Sequence, residues 1–424
     1  MAKTCKYAKL QRYVSYDSGQ TWEAMDEYMI GDLKESPSVS CIDSPLFEWR
    51  LVDNDYLCVG TSKYTKLQQY VSADNGETYF PVSPANYKQG TLIEEYSEDC
   101  GYEILYRWVK TNNTICVDYS TQYLTFVAIE PIQVKFSGVT VNDVVNTVDY
   151  SLDSGITWNT LAQDTYTNTI TSGNIVMFKG NCKRNASGIG HFTISGGTFD
   201  IEGNVMSLLF NDNFVGQTSL SGYSYAFTSL FANCNVVRAN KLVLPATTLS
   251  SACYQYMFKG CTSLIKTPEL LATTLEFSCY QNMFQGCTSL TVAPELPATT
   301  LESGCYRYMF KGCTSLIKAP ELPATTLTLG CYSDMFENCT SLTKTPKLPA
   351  TTLISSCYES MFQGCTSLNE VTCLATDISA RYCTTNWLTN VSSSGTFYKN
   401  SSMNSWSSGG SGIPNDWTVT DYQG

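Results

Sequence analysis

The feature that most constrains this chain is a 26-residue unit written five times in succession over residues 244–373. Met257, Met283, Met309, Met335 and Met361 mark its phase, and two cysteine series, Cys253 to Cys357 and Cys261 to Cys365, keep the same step. The unit reads L-P-A-T-T-L-x-x-x-C-Y-x-x-M-F-x-G-C-T-S-L-x-x-x-P-E. A fixed period of this length means a stack of coils, because one unit cannot bury its own apolar face and must lay it on a neighbour.

Leu249, Cys253, Met257, Phe258, Cys261 and Leu264 recur at spacings of four, four, one, three and three. C-Y-x-x-M-F therefore reads as a short helix or 3₁₀ turn with one apolar side inward. The residue that follows (Gly260, Gly286, Gly312, Asn338, Gly364) tolerates the left-handed conformation that ends a helix. T-S-L-x-x-x-P-E-L runs into proline, so it holds only a short or edge-type strand. P-A-T-T-L then turns the chain into the next coil. A Leu-rich coil of ~20–29 residues lies in the leucine-rich-repeat range.

Variation among the units falls at residues 250–252, 255–256 and 259 and their counterparts, which are expected to face solvent. Tyr256, Asn282, Arg307, Tyr308 and Asp334 form the candidate contact surface, since polar, Tyr-rich flanks suit protein or glycan contact. The tyrosine after each first cysteine, Tyr254 to Tyr358, reads as half-buried scaffold. Thirteen of the nineteen cysteines lie between Cys234 and Cys383. They read as small apolar thiols filling a tight interior, because a continuous ladder cannot pair neighbours without breaking its own regularity.

The flanking sequence divides further. Lys9–Ser15 returns as Lys66–Ser72, a step of 57, and Trp49 is answered by Trp108. Two tandem small β modules, residues 1–59 and 60–125, follow from this. Each holds an S-x-D-x-G-x-T-aromatic stretch (Ser15 to Trp22, Ser72 to Tyr79), and a third copy runs from Ser151 to Trp158. Asp caps its own turn, Gly takes positive φ and the aromatic covers a hairpin. The pattern resembles the Asp-box hairpin of sialidase propellers and many other β proteins, a structural turn remote from chemistry.

Residues 126–205 alternate apolar and polar between Gly-rich turns, as a small antiparallel β sandwich does. Residues 206–385 form the repeat domain with its caps. Leu230-Phe231-Ala232-Asn233-Cys234 is a degraded M-F-x-G-C whose outer face meets no further coil. Residues 386–424 read as a C-terminal cap, with Trp387 over the last coil and an irregular Ser/Gly-rich tail.

Several function classes are excluded. A net charge of −12, from 38 acidic and 26 basic residues, argues against a nucleic-acid or anionic-membrane partner. No apolar run approaches the ~18 residues of a membrane span, and Met1 to Tyr7 do not resemble a signal peptide. The single histidine, His191, sits in a β run, so a Ser–His–Asp or Cys–His pair is not expected. Neither a C-x-x-C zinc pattern nor a glycine-rich phosphate loop is present. Glu269, Glu295 and Glu321, with Lys347 in the fourth place, read as a solvated rim. No catalytic, metal or cofactor residues are expected.

The C-Y-x-x-M-F-x-G-C-T-S-L repeat, over residues 230–385, resembles the BspA-type leucine-rich repeat, a family of surface and adhesion proteins of gut and oral bacteria. Residues 203–209 (G-N-V-M-S-L-L) and Asp153–Trp158 are similar to parts that accompany such repeats in proteins of Bacteroidales and their crAss-like phages. The resemblance implies a multi-domain, mainly β chain: small β modules and a β sandwich, then a leucine-rich-repeat solenoid with a short strand and a short helix per coil. It implies adhesion without catalysis. The expected setting is a phage virion, assembled in the host cytoplasm, with the chain in a tail or head fibre. Its partners would be other virion proteins, a host surface protein or glycan, or further copies of itself. The alternative is a bacterial cell-surface adhesin.

Overall fold

The computed structural model describes residues 119–404 and 406–423, together with the backbone of seven strands within residues 4–117. The chain is mainly β and divides into two compact units, Met1–Thr121 and Gln122–Gly424.

In the first unit the strands are β1 (Thr4–Ser15), β2 (Glu23–Ser38), β3 (Leu46–Val59), β4 (Ser62–Ser72), β5 (Phe80–Pro81), β6 (Lys88–Glu94) and β7 (Leu105–Val117). One antiparallel sheet has the order β2-β1-β7, and in the other β4 pairs with β3, β5 and β6. Hydrogen bonding thus links the two sequence copies: β1 lies on β7 with Arg12 opposite Trp108, and β3 lies on β4 with Leu51 opposite Leu67. The expected turns within residues 16–22 and 73–79 lie outside the described residues.

The second unit begins with β8 (Leu124–Ala128), β9 (Ile132–Gly138), β10 (Thr140–Val141), β11 (Val144–Val145), β12 (Val148–Ser151), β13 (Asn159–Leu161), β14 (Ile175–Lys179), β15 (Gly190–Gly196) and β16 (Phe199–Asn204). Alternation sets which face is buried: Ile132, Val134 and Phe136 of β9 point inward, with Gln133 and Lys135 between them. Asn142 and Asp143 take φ of 49° and 63°, the two positive values a tight β10–β11 hairpin requires. The larger sheet runs β13-β12-β14-β8-β16-β17, where β17 is Lys241–Val243, and β15 pairs with β9. Phe126 and Phe178 of the larger sheet meet Phe192 of the smaller at 5.0 and 4.9 Å between ring centroids.

This β region does not end before the coils begin. β17 pairs in parallel with β16, and the Phe231 ring lies 6.0 Å from Phe126, 5.9 Å from Phe192 and 5.3 Å from Phe258. The outer face of the first coil thus meets no further coil, and the sheet covers it.

The coils contain no helix among the described residues, which corrects the expected short helix per coil. In residues 250–261 the amide N–H groups alternate between two destinations. Those of Cys253, Gln255, Met257, Lys259 and Cys261 donate to the carbonyl three residues back, at 3.0–3.3 Å. Those of Ala252, Tyr254, Tyr256, Phe258 and Gly260 donate to Phe277, Cys279, Gln281, Met283 and Gln285 of the next coil, at 2.7–3.0 Å. From Ala252 to Cys261 every backbone donor is used, as burial demands. Ala252, Tyr256 and Gly260 have φ of 55°, 59° and 73°, so each coil is a staircase of turns with a left-handed residue every fourth place. Two side chains point in and two out, a period of four that mimics the helical 3.6 in sequence.

The expected short strand per coil is also corrected. Proline-bearing segments make only single bridges, such as Val292 with Lys318. Continuous pairing starts at β18 (Lys344–Leu348), whose neighbour β19 (Glu370–Cys373) is the first such segment without proline. It continues in parallel through β20 (Thr396–Lys399) and β21 (Thr418–Asp421). Proline removes a ladder donor, so the sheet forms where proline stops. The C-terminal residues expected to be an irregular tail belong to the stack. Trp387 is fully buried between Tyr358 at 6.2 Å and Trp406 at 5.6 Å.

Candidate functional site

Inside the coils the side chains pack into columns and rows. Tyr254, Tyr280, Tyr306, Tyr332 and Tyr358 form a stacked column with centroids 5.8–6.1 Å apart, fully buried rather than half-buried. A second column runs through Phe258, Phe284, Phe310, Phe336 and Phe362 at 5.5–5.7 Å. All fourteen described cysteines are free and buried. The thiols of Cys287, Cys313 and Cys339 donate to the carbonyls of Phe258, Phe284 and Phe310 in the preceding coil, at 3.1–3.2 Å. That contact is why a thiol, rather than a methyl group, recurs there. Burial pushes the Cys313 and Cys253 thiols up to about 12, so they stay protonated and unreactive near neutrality.

The turn from Ser151 to Trp158 has the predicted geometry. Asp153 accepts from the Thr157 N–H at 2.8 Å and from its hydroxyl at 2.7 Å, and Gly155 has φ of 86°. The Thr157 hydroxyl, with the Thr157 and Ser151 donors behind it, holds the Asp153 carboxyl down at about 2. The Trp158 indole donates to the Gly155 carbonyl at 3.1 Å and closes the turn. This is a structural hairpin between β12 and β13. His191 is exposed on β15, and Glu269, Glu295 and Glu321 are exposed on the proline-bearing edge.

The repeats differ along the flank and, on the proline-bearing edge, at residues 265–267 and their counterparts. Of the candidate residues, Tyr256, Asn282, Tyr308 and Asp334 occupy one left-handed row, with φ of 57–59°. Their identity is thus constrained by backbone, since bulky residues avoid that region. Asn282 is 5% exposed, with its Nδ2 on Gln285 at 2.7 Å and its Oδ1 unpartnered, which corrects the expectation that the row faces solvent throughout. Asp334 is mostly covered. Its burial, reinforced by nearby Glu337, raises the carboxyl above its ordinary value, while the Ser333 hydroxyl at 2.6 Å and Arg307 oppose the rise. Arg307 lies over the Tyr308 ring at 4.7 Å, bonds its hydroxyl at 3.0 Å and approaches Asp334 at 3.9 Å. Arg307, Tyr308 and Asp334 are therefore brought together; Tyr256 pairs separately with Lys259, at 5.1 Å.

One step toward the start of the staircase lies a second row: Ser251, Phe277, Ser303, Leu329 and Ser355. Apolar and serine residues alternate along it. Phe277 is 52% and Leu329 55% exposed, and between them Ser303 and Gly304 floor a recess of about 380 Å³. Gln281, Arg307 and Glu359 line its far side. Gly304 has φ of 63°, and a Cβ there would come within 3.3 Å of the Ser278 hydroxyl. The 26-residue register held the signal for this recess, in the alternation of Ser with Phe or Leu, but no single residue type announced it. No family model, curated protein or solved structure matches this chain.

Proposed function

We propose that this chain is a non-enzymatic virion protein of a phage of gut bacteria, a tail or head-fibre component. Its coil stack is a BspA-type leucine-rich-repeat solenoid that presents one flank to a host surface molecule or to another virion protein. The observation that carries this reading is where the repeats differ. Buried positions such as Cys253, Tyr254, Met257, Phe258 and Cys261 are copied unchanged five times, while residues 250–252 and 255–256 and their counterparts diverge. Divergence at exposed positions of a flank held by an unchanged interior suits recognition, where a few side chains dominate the binding energy. The unpaired, hydrogen-bonded thiols suit assembly in a reducing cytoplasm.

The experiment is competition. Purified chain added to host cells is expected to block particle adsorption, and Tyr256→Ser with Tyr308→Ser is expected to weaken the block while the melting curve stays put. Recovery of the chain from a bacterial envelope, and not from purified particles, would refute the virion reading in favour of a bacterial adhesin. Full competition by the double variant would move the contact surface off this row.

A further inference from the structure

The recess between Phe277 and Leu329 has a definite width. Adjacent coils are 5.6–5.7 Å apart at the stacked phenylalanines, and its two walls stand two coils apart, so they are about 11 Å from centre to centre. Apolar atoms touch at ~3.5–4.0 Å, so a ring lying on one wall leaves a further ~3–4 Å before contact with the other, room for the axial and exocyclic groups of a puckered ring. The volume of about 380 Å³ lies at the low end of small-molecule clefts, ~300–1,000 Å³.

The polar groups lining it offer both signs of hydrogen bonding. Gln281 spends its amide oxygen on Gln255 at 2.8 Å, which leaves its N–H₂ to donate. Arg307 gives one N–H to Tyr308 and keeps others. Ser303 donates to the Leu329 carbonyl at 3.0 Å, which leaves its oxygen to accept. Glu359, one coil beyond Leu329, is a carboxylate acceptor at the end of the recess. An apolar wall, a gap that admits one puckered ring, and donors interleaved with acceptors together describe a site for a polyhydroxylated ring.

We propose that this recess binds a single neutral pyranose ring of a surface glycan, with its less polar face on Phe277 and its hydroxyls toward Ser303, Gln281, Arg307 and Glu359. The proposal deepens the contact-surface reading above and rests on it. A protein partner fits less well, since a stable interface needs roughly 800 Å² per side, and here the positions beside the Phe277 wall and the Ser303 floor are exposed carboxylates, Glu276 and Glu302. Those carboxylates, with a net charge of −12, also disfavour acidic sugars.

The test is saturation-transfer NMR on the full chain with methyl glycosides of glucose, galactose, mannose and N-acetylglucosamine, and a methyl glucuronide as the acidic comparison. At least one neutral glycoside is expected to bind. Ser303→Leu, which fills the recess, should weaken that binding by at least about tenfold, a tenth of the affinity being ~1.4 kcal/mol. Phe277→Ala should weaken it too, and Val292→Ala, on the proline-bearing edge, should not. Should Ser303→Leu melt early, Phe277→Ala with Leu329→Ala replaces it. No binding by any neutral glycoside, preference for the glucuronide, or undiminished binding in the filled variant would each overturn the proposal. Host-cell attachment measured on Ser303→Leu separates the two readings. Attachment lost with no glycoside bound leaves the flank as a contact surface for a different occupant. Glycoside binding lost with attachment intact keeps the ring site and removes it from adhesion.

Discussion

The stacked phenylalanine column predicts a specific non-additivity. Phe284 and Phe310 are fully buried with centroids 5.7 Å apart, and each has a further partner, Phe258 at 5.6 Å and Phe336 at 5.6 Å respectively. Substitution by leucine keeps most of the apolar burial and removes the ring pairs, each worth ~0.5–1.5 kcal/mol. A single Phe→Leu thus loses two pairs, about 1–3 kcal/mol. The double variant Phe284→Leu with Phe310→Leu loses three pairs, not four, and should cost about 1 kcal/mol less than the sum of the singles. Phe258→Leu with Phe336→Leu shares no pair, because those rings are three coils apart, about 17 Å, and should add within ~0.3–0.5 kcal/mol. Urea unfolding followed by tryptophan fluorescence and far-UV circular dichroism gives both cycles, with agreement of the two probes as the condition for a single free energy. Additivity in the adjacent pair, equal to that of the distant pair, would refute the claim that coils stabilise one another through ring stacking.

Three further outcomes are expected. Burial raises the Cys253, Cys313 and Cys365 thiols from 9.0 to about 12, so their contribution is complete below pH 9 and is lost between pH 9 and about 12, by ~1.4 kcal/mol per pH unit per thiol. The urea midpoint should fall steeply as pH rises from 9 to 11, and a flat profile would show that these thiols ionise in place. Gly312→Ala places a Cβ at φ of 76° with its nearest neighbour 3.9 Å away, so the cost is conformational, ~1–2 kcal/mol, and Gly312→Asn should cost less in the same melts. Asp153 titrates near 2 in place of 3.8, so its stabilising contacts are present above pH 3.8 and are lost as pH falls through about 2. The Trp158 indole N–H signal should shift over that range, and Asp153→Asn should abolish the shift.

Much of this was legible in the sequence, and what was not has separate physical causes. The stack, its phase and the buried identity of Met309, Phe310 and Cys313 follow from the 26-residue step, because repetition fixes which side chains meet. The Ser151–Trp158 turn is legible because Asp and Gly at those offsets have a local mechanism. The helix was misassigned because two-in, two-out turns give nearly the helical apolar period. The discriminating signal lay in the residues at 252, 256 and 260 and their counterparts: Ala, Ser and Gly; Tyr, Asn, Asp and Ser; Gly and Asn. Gly, Asn and Asp, which tolerate positive φ, recur there every fourth place, a pattern no helix requires. That a sheet covers Phe231 was not legible, because its neighbours Phe126 and Phe192 come from strands far away in sequence. Long-range packing of that kind leaves no local trace.

The staircase also explains why recognition, if it occurs on these coils, falls on the flank that carries the recess. Inward positions are fixed by two aromatic columns and two thiol rows, so a change there disturbs the coils on both sides. The proline-bearing edge is held by Pro268, Pro294 and Pro320, all buried. In the 256, 282, 308 and 334 row, left-handed backbone narrows the choice of residue. The row of Ser251, Phe277, Ser303, Leu329 and Ser355 escapes all three constraints: it is outside the core, free of proline and free of positive φ. Side chains there change the surface without changing the stack. Because each coil sets its own residue at that position, walls and gaps can be placed in any order along the axis. The present order, serine alternating with Phe or Leu, leaves one gap walled on both sides, at Ser303.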